Sequence, residues 1–209
     1  MAGSRSNRIF SGIAPLYGLF FARQKRHYAA VLDDVRSSVD LSLYMSVLDV
    51  GCGTGALGSV LSDRGFAVTG VDPVRGMLDI AARKLAGASA GKPSANPVAL
   101  VQASVLERLP FDDNSFDVAI ASYVAHGLSA PDRQRMYAEM GRVARHLVVF
   151  HDYNMHRALL TDIAEWLEGG DYFEFIKAAR SEMEQNFRSV RVVDVGPHAA
   201  WYVCVPGNG

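Results

Sequence analysis

The chain has 209 residues, 49% of them hydrophobic and 21% charged, and its 21 basic and 22 acidic side chains leave a formal net charge of −1. That composition excludes extensive disorder, and the charge balance gives no global field toward nucleic acid or anionic lipid. Two cysteines, Cys52 and Cys204, exclude a disulfide framework and, without a Cys/His ligand pattern, a structural metal site; they fit a reducing cytoplasm.

In chain order, Ile9, Ile13, Leu16, Tyr17 and Phe20 suit one face of a helix, and Tyr28, Val31, Leu32 and Val35 suit a second. The apolar stretch Ile13–Ala22 is too short for a membrane span and carries Pro15 and Gly18. No small-x-small cleavage site follows it, so a helical cap over 1–45 is expected rather than a signal peptide. Arg23, Lys25 and Arg26 read as a solvated charge run.

Five short apolar runs follow: Ser46–Val50, Phe66–Asp72, Val98–Ala103, Phe116–Ser122 and His146–Asp152. Runs apolar on both faces predict strands covered on both sides, as in a parallel sheet. Between them, Met77, Leu78, Ala81 and Leu85, and later Met136, Met140 and Val143, recur at helical spacing. The alternation predicts βαβ crossovers in an open α/β sheet. Gly87–Pro97 reads as an exposed loop, and a helical insert is expected over 154–188, where Trp166, Tyr172, Phe173 and Phe175 read as core. Ser189–Val195 and Ala199–Val205 are separated by three residues, too few for a helical crossover, which predicts a closing antiparallel hairpin.

The most informative segment is VLDVGCGTG, Val47–Gly55. An apolar strand runs into a glycine turn from which a helix starts, a geometry that brings backbone close to a ligand. Such a turn can hold a pyrophosphate or the methionine arm of S-adenosylmethionine. Gly53–Gly58 also matches G-x-G-x-x-G, the dinucleotide fingerprint. Asp49, inside the strand, opposes a pyrophosphate by its charge. Asp72 ends the next strand, where an acid accepts hydrogen bonds from ribose hydroxyls of either ligand or caps the following helix.

Together, VLDVGCGTG, VTGVDPVRGMLDIAARK (Val68–Lys84), LPFDDNSFDVAIASYVAHGL (Leu109–Leu128) and YAEMGRVAR (Tyr137–Arg145) resemble the class I S-adenosylmethionine-dependent methyltransferases, in the broad type 11 group. RIFSGIAPLYGLFF (Arg8–Phe21) is faintly similar to the cap of quinone C-methyltransferases. The resemblance implies a Rossmann-like seven-stranded sheet of order 3-2-1-4-5-7-6 with strand 7 antiparallel. It implies one domain over 1–209: cap 1–45, cofactor-binding core 46–153, insert 154–188 and hairpin 189–205. It implies that Gly51, Cys52 and Gly53 meet the methionine arm, that Asp49 orients it, and that Asp72 holds the ribose. Pro73 and Met77 would pack on adenine, the Val105 N–H would meet it, and Ala121 and Ser122 would close the methionine side; Tyr17, read on the cap helix, either covers the cofactor or packs in the cap core. Ser104 stands where the family usually has an acid, and the family's Pro-Gly-Gly turn is absent between Arg145 and His146.

Methyl transfer from a sulfonium is an in-line displacement, so the protein mainly positions the acceptor and excludes water. A base is needed only where the acceptor must lose a proton. The candidates leave the carboxyl ends of strands 4 and 5: Tyr123 and His126, then His151, Asp152 and Tyr153, where a His151–Asp152 pairing is either catalytic or a strand-end and helix N-cap arrangement. The expected acceptor is a small molecule, with no nucleic acid or membrane partner. A methyltransferase of tRNA or protein, a non-catalytic cofactor-binding protein and an NAD-binding protein are the alternatives.

Overall fold

The computed structural model describes residues 20–89, 96–154 and 172–207. Tyr17, Trp166 and the first predicted helix lie outside them, as do the side chains of Tyr172 and Phe173. The chain divides into two compact units after Ser104. In sheet order the seven strands run β3-β2-β1-β4-β5-β7-β6, as expected.

The first unit holds α1 (Phe21–Asp34), β1 (Ser46–Val50), α2 (Ala56–Asp63), β2 (Ala67–Asp72), α3 (Arg75–Ser89) and β3 (Ala99–Gln102). Its strands are parallel, with Asp49 opposite Gly70 and Asp72 opposite Gln102. The core is aliphatic: Leu48, Val50, Leu61, Val68, Val71 and Ala81 are buried. Helix α3 adds Val74, Met77 and Ile80. It reaches Ser89, so Gly87–Ser89, expected in a loop, are helical; three small residues extend a helix whose buried face already fixes its axis.

Helix α1 buries Phe21, Val31 and Leu32, but Phe20, expected on an apolar face, is 46% exposed. Lys25 is not merely solvated. Its Nζ donates to Ser59 Oγ at 2.8 Å and pairs with Asp63 at 2.7 Å, tying α1 to α2. Arg64 does the same from the end of α2, pairing with Asp33 and donating to Ala29 O.

The second unit holds β4 (Phe116–Ser122), a 3-10 turn at Ala125–Gly127, α4 (Ala130–Val143), β5 (Ala144–Tyr153), α5 (Tyr172–Asn186), β6 (Ser189–Asp194) and β7 (Ala199–Val205). β4 and β5 are parallel, with Ser122 opposite His151; β7 is antiparallel to both β5 and β6. The expected hairpin is therefore present.

Helix α4 starts with Ser129 as N-cap, Pro131 in the first turn and Asp132 at the positive end of the dipole. It buries Arg133, Met136, Tyr137, Met140 and Val143, a single stripe at helical spacing. It then passes into β5 with no intervening residue, so the last two residues of the YAEMGRVAR segment, Ala144 and Arg145, are strand rather than helix. The missing Pro-Gly-Gly turn is replaced by a direct junction at Ala144, whose φ of −90° and ψ of 131° are already extended.

Buried Arg133 makes a bidentate pair with Glu182 of α5 at 2.8 and 2.6 Å and donates to Leu128 O at 2.8 Å. Tyr137 Oη donates to the same carboxylate. Phe175, Met183 and Phe187 are buried, as their spacing implies. No described helix is long and apolar enough to cross a membrane.

Candidate functional site

In the first unit the glycine turn leaves β1 with Gly51, Gly53 and Gly55 at φ of 69°, 52° and 77°. These values lie in the left-handed region that only glycine adopts without strain. The turn is bound by its own amides. The N–H groups of Gly51 and Cys52 both donate to Val71 O, at 2.9 and 3.0 Å, and Gly55 N–H donates to Cys52 O at 2.8 Å. Gly53 N–H donates to Asp72 Oδ2 at 3.0 Å, while Asp72 Oδ1 accepts from Val74 N–H at 2.8 Å. Asp72 therefore joins the glycine turn to the start of α3, in addition to any ligand it holds.

A second fit fixes Cys52. A Cβ on Gly70 would come within 2.9 Å of Cys52 Sγ and 3.0 Å of its Cβ, so the bare Gly70 backbone makes the space the thiol fills. Burial, with Asp49 and Asp72 nearby, pushes the Cys52 thiol well above its usual range, so it is packing and not a nucleophile. Met77 lies under the turn, its Cε 3.5 Å from where a Gly53 Cβ would sit. Pro73 is exposed, and its carbonyl accepts from Gln102 Nε2.

Asp49 is 2% exposed, and among the described residues its Oδ2 has no hydrogen-bond partner. Burial, against a hydrogen bond from Gly58 N–H and with a push from Asp72, raises its carboxyl to about 7. Asp72 is raised too, chiefly by burial. Two buried carboxyls beside a turn whose amides are engaged favour a cationic group there and disfavour an anion. Ser104, after β3, is half-buried.

In the second unit Val105 and Ala121 are buried. At the carboxyl ends of β4 and β5 stand Ser122, Tyr123, His126, His151 and Asp152. His151 and Asp152, weighed as a pair, each meet a different partner. His151 Nδ1 lies 3.0 Å from Ser122 Oγ, and Asp152 Oδ1 lies 2.8 Å from His126 Nδ1. Successive strand residues leave opposite faces of a sheet, so sequence neighbours on β5 serve different partners.

Asp152 also accepts from the backbone N–H groups of His126 at 3.3 Å and Tyr153 at 2.9 Å. Rings gather around the pair: Tyr123 and His151 at 4.8 Å, Tyr123 and Tyr153 at 5.4 Å, and His126 and Tyr153 at 4.9 Å between centroids. Trp201 of β7 backs His151 at 6.4 Å. Tyr123 holds φ 55°, strained for a non-glycine residue, with its N–H bonded to His151 O at 2.8 Å. Burial and the charge of Asp152 push its phenol up to about 12, so it stays protonated.

Sequence reasoning missed Gly70 and Trp201. The partners of Gly70 and Trp201 are set by strand register, which no local motif encodes. The exchange of partners by Asp152 was open to the period-2 rule.

Residues 47–146 match the family described as Methyltransferase domain. An uncharacterized methyltransferase of Mycobacterium tuberculosis is 34% identical over 99 residues, which cover 47% of this chain and 35% of that protein. The demethylmenaquinone methyltransferase of Clavibacter sepedonicus is 34% identical over 85 residues, 41% of this chain and 31% of that one. The chain thus matches about a third of the length of these curated relatives. Among solved structures, the magnesium protoporphyrin IX methyltransferase of Synechocystis PCC 6803 with bound S-adenosylmethionine superposes with a TM-score of 0.62 at 16% identity, covering 87% of this chain and 80% of that one; this likeness is one of fold.

Proposed function

We propose that this chain, whose residues 47–146 match the methyltransferase-domain family and whose sheet has the order 3-2-1-4-5-7-6, transfers a methyl group from S-adenosylmethionine to a small-molecule acceptor. One observation carries the choice of cofactor. The amides of Gly51, Cys52, Gly53 and Gly55 are engaged within the unit, and two buried carboxyls with raised pKa values stand beside them. A pyrophosphate needs the donors and is repelled by the acids. A cofactor carrying an ammonium and a sulfonium suits both features.

In this reading Asp49 takes the ammonium of the methionine arm, directly or through a water, which gives its buried Oδ2 a donor. Gly51, Cys52 and Gly53 pack against that arm, and Asp72 accepts from the ribose hydroxyls. Pro73 and Met77 flank the adenine, whose edge meets Ser104 and the Val105 N–H. Ala121 and Ser122 border the methionine side. Tyr123, His126 and His151 border the acceptor. The bound cofactor supplies an electrophilic methyl group; the chain orients the acceptor and excludes water.

The near balance of 21 basic and 22 acidic residues supports a small acceptor over tRNA. So does the demethylmenaquinone methyltransferase named above, a relative over part of its length. Isothermal titration of the full chain with S-adenosylmethionine and with NAD tests the reading. Heat of binding is expected from S-adenosylmethionine alone; binding of NAD alone would overturn it.

A further inference from the structure

His126 sits in the 3-10 turn Ala125–Gly127, and Asp152 is the penultimate residue of β5. The Asp152 side chain is 1% exposed and that of His126 18%, so the carboxylate is sealed behind the imidazole and the imidazole reaches the surface of the ring cluster. A buried carboxylate 2.8 Å from Nδ1 selects the tautomer with the proton on Nδ1. The lone pair then lies on Nε2. This is the arrangement in which a carboxylate orients a histidine to take a proton and steadies the imidazolium that results.

The surroundings restrict what the proton comes from. Asp152 already accepts three N–H groups, from His126 Nδ1, His126 N and Tyr153 N, so it is not disposed to hold an ammonium as well. Tyr123 and Tyr153 stand edge-to-face around the imidazole with centroids 6.4 and 4.9 Å away, so the surroundings of the dyad are aromatic. Tyr123 is kept there at the cost of a left-handed backbone, and such strain persists where the surrounding structure enforces it. A thiol, ionising near about 8.5, supplies some thiolate at neutral pH without help, whereas a phenol, ionising near about 10, depends more on a base.

Resting on the methyl-transfer reading above, we propose that His126 Nε2 is the proton acceptor for the hydroxyl of a neutral aromatic acceptor, with Asp152 orienting the imidazole and Tyr123 and Tyr153 walling the acceptor ring. The acceptor O–H bond breaks and its proton passes to Nε2. The oxygen takes the methyl group, and the electron pair of the breaking C–S bond stays on sulfur. The products are an aryl methyl ether, the demethylated thioether and an imidazolium, which returns its proton to water. The chain is on this account an O-methyltransferase of phenols.

Two measurements test it. Nitrogen-15 NMR of the histidine-labelled protein without ligand should show His126 protonated at Nδ1 and not at Nε2, and Asp152→Asn should abolish that preference. An Nε2-protonated His126 would overturn the proposal whatever the activity. With S-adenosylmethionine, catechol and phenol should be methylated in preference to benzylamine and thiophenol. His126→Ala and His126→Gln should each lower kcat on phenol by about 100-fold or more. The loss should be far smaller on the more acidic 4-nitrophenol, with cofactor affinity by titration calorimetry unchanged. Unchanged turnover in both variants, or methylation confined to the amine or thiol while the cofactor still binds, would overturn the dyad's role and leave the methyl-transfer reading standing. Failure of the wild-type chain to bind S-adenosylmethionine would overturn that reading instead, and the tautomer would still decide the dyad.

Discussion

The Gly53 amide donates to Asp72 Oδ2 at 3.0 Å, so the acid at the tip of β2 holds the turn that leaves β1. Asp72 and the turn are then one assembly: the residue expected to meet the ribose also sets the backbone expected to meet the methionine arm. Disturbing either member alters both.

Asp72→Ala should therefore weaken S-adenosylmethionine binding by more than a lost ribose contact. Removing a charged acceptor from buried N–H donors costs about 1.5–3 kcal/mol, so a fall in affinity of roughly 10–100-fold is expected by titration calorimetry. Gly53→Val should do the same by another route. Its Cβ has room, with Met77 Cε 3.5 Å away, but the φ of 52° is hostile to a β-branched residue. Wild-type affinity in either variant would refute the site.

Gly70→Ala should destabilise the fold by about 1–3 kcal/mol, because its methyl group would enter the space of Cys52 and Leu100. In a Cys52→Ala background the same change should cost less, since the sulfur 2.9 Å away is gone. A double-mutant cycle by urea unfolding should give a coupling of about 0.5 kcal/mol or more. Strict additivity would show that the two residues do not compete for space.

The carboxyl of Asp49 rises to about 7 in the folded chain, against about 3.9 when unfolded. The folded state therefore binds the extra proton between these values, and this group's contribution to stability falls as pH rises from about 4 through about 7. Asp49→Asn keeps an acceptor for the Gly58 N–H and never ionises. Without cofactor the variant should be the more stable above about pH 7, by roughly 1–3 kcal/mol, and the difference should shrink toward pH 4. Chemical denaturation at the two extremes measures it; a gap independent of pH would contradict the assignment.

Arg133 is 1% exposed in its side chain and faces Glu182 at 13%. Arg133→Ala should cost about 3–5 kcal/mol, because it leaves a half-sealed carboxylate and the Leu128 carbonyl without their donor. Arg133→Met with Glu182→Leu should recover much of that loss, measured as thermal midpoint. If the double variant is the worse of the two, the pair itself is stabilising.

The alternation of apolar runs with helical stripes was enough to read the α/β class from the sequence, and the three-residue gap at Gly196–His198 was enough to read the hairpin. The glycine turn was legible because glycine at positive φ is a local requirement. The seven-strand order came from family resemblance, since register and crossover order are non-local. The same is true of Gly70, whose importance arises only when β2 lies beside the Cys52 turn. Lys25 looked like a surface charge because its partners, Ser59 and Asp63, are 34 and 38 residues away. The His126–Asp152 pair spans 26 residues, and adjacency in sequence pointed to His151 instead.

The direct junction of α4 and β5 makes the chain between Arg133 and Asp152 a ruler without slack. Val143 is the last helical residue and Ala144 the first of the strand. One residue added at that point could not be taken up in a loop. It would turn the helix by about 100°, carrying Arg133 away from Glu182, or slide β5 by one place and exchange the faces of every side chain beyond it. In the second case a histidine would arrive where the carboxylate belongs. The count of residues across this segment is thus as much a part of the His126–Asp152 pair as the two side chains themselves.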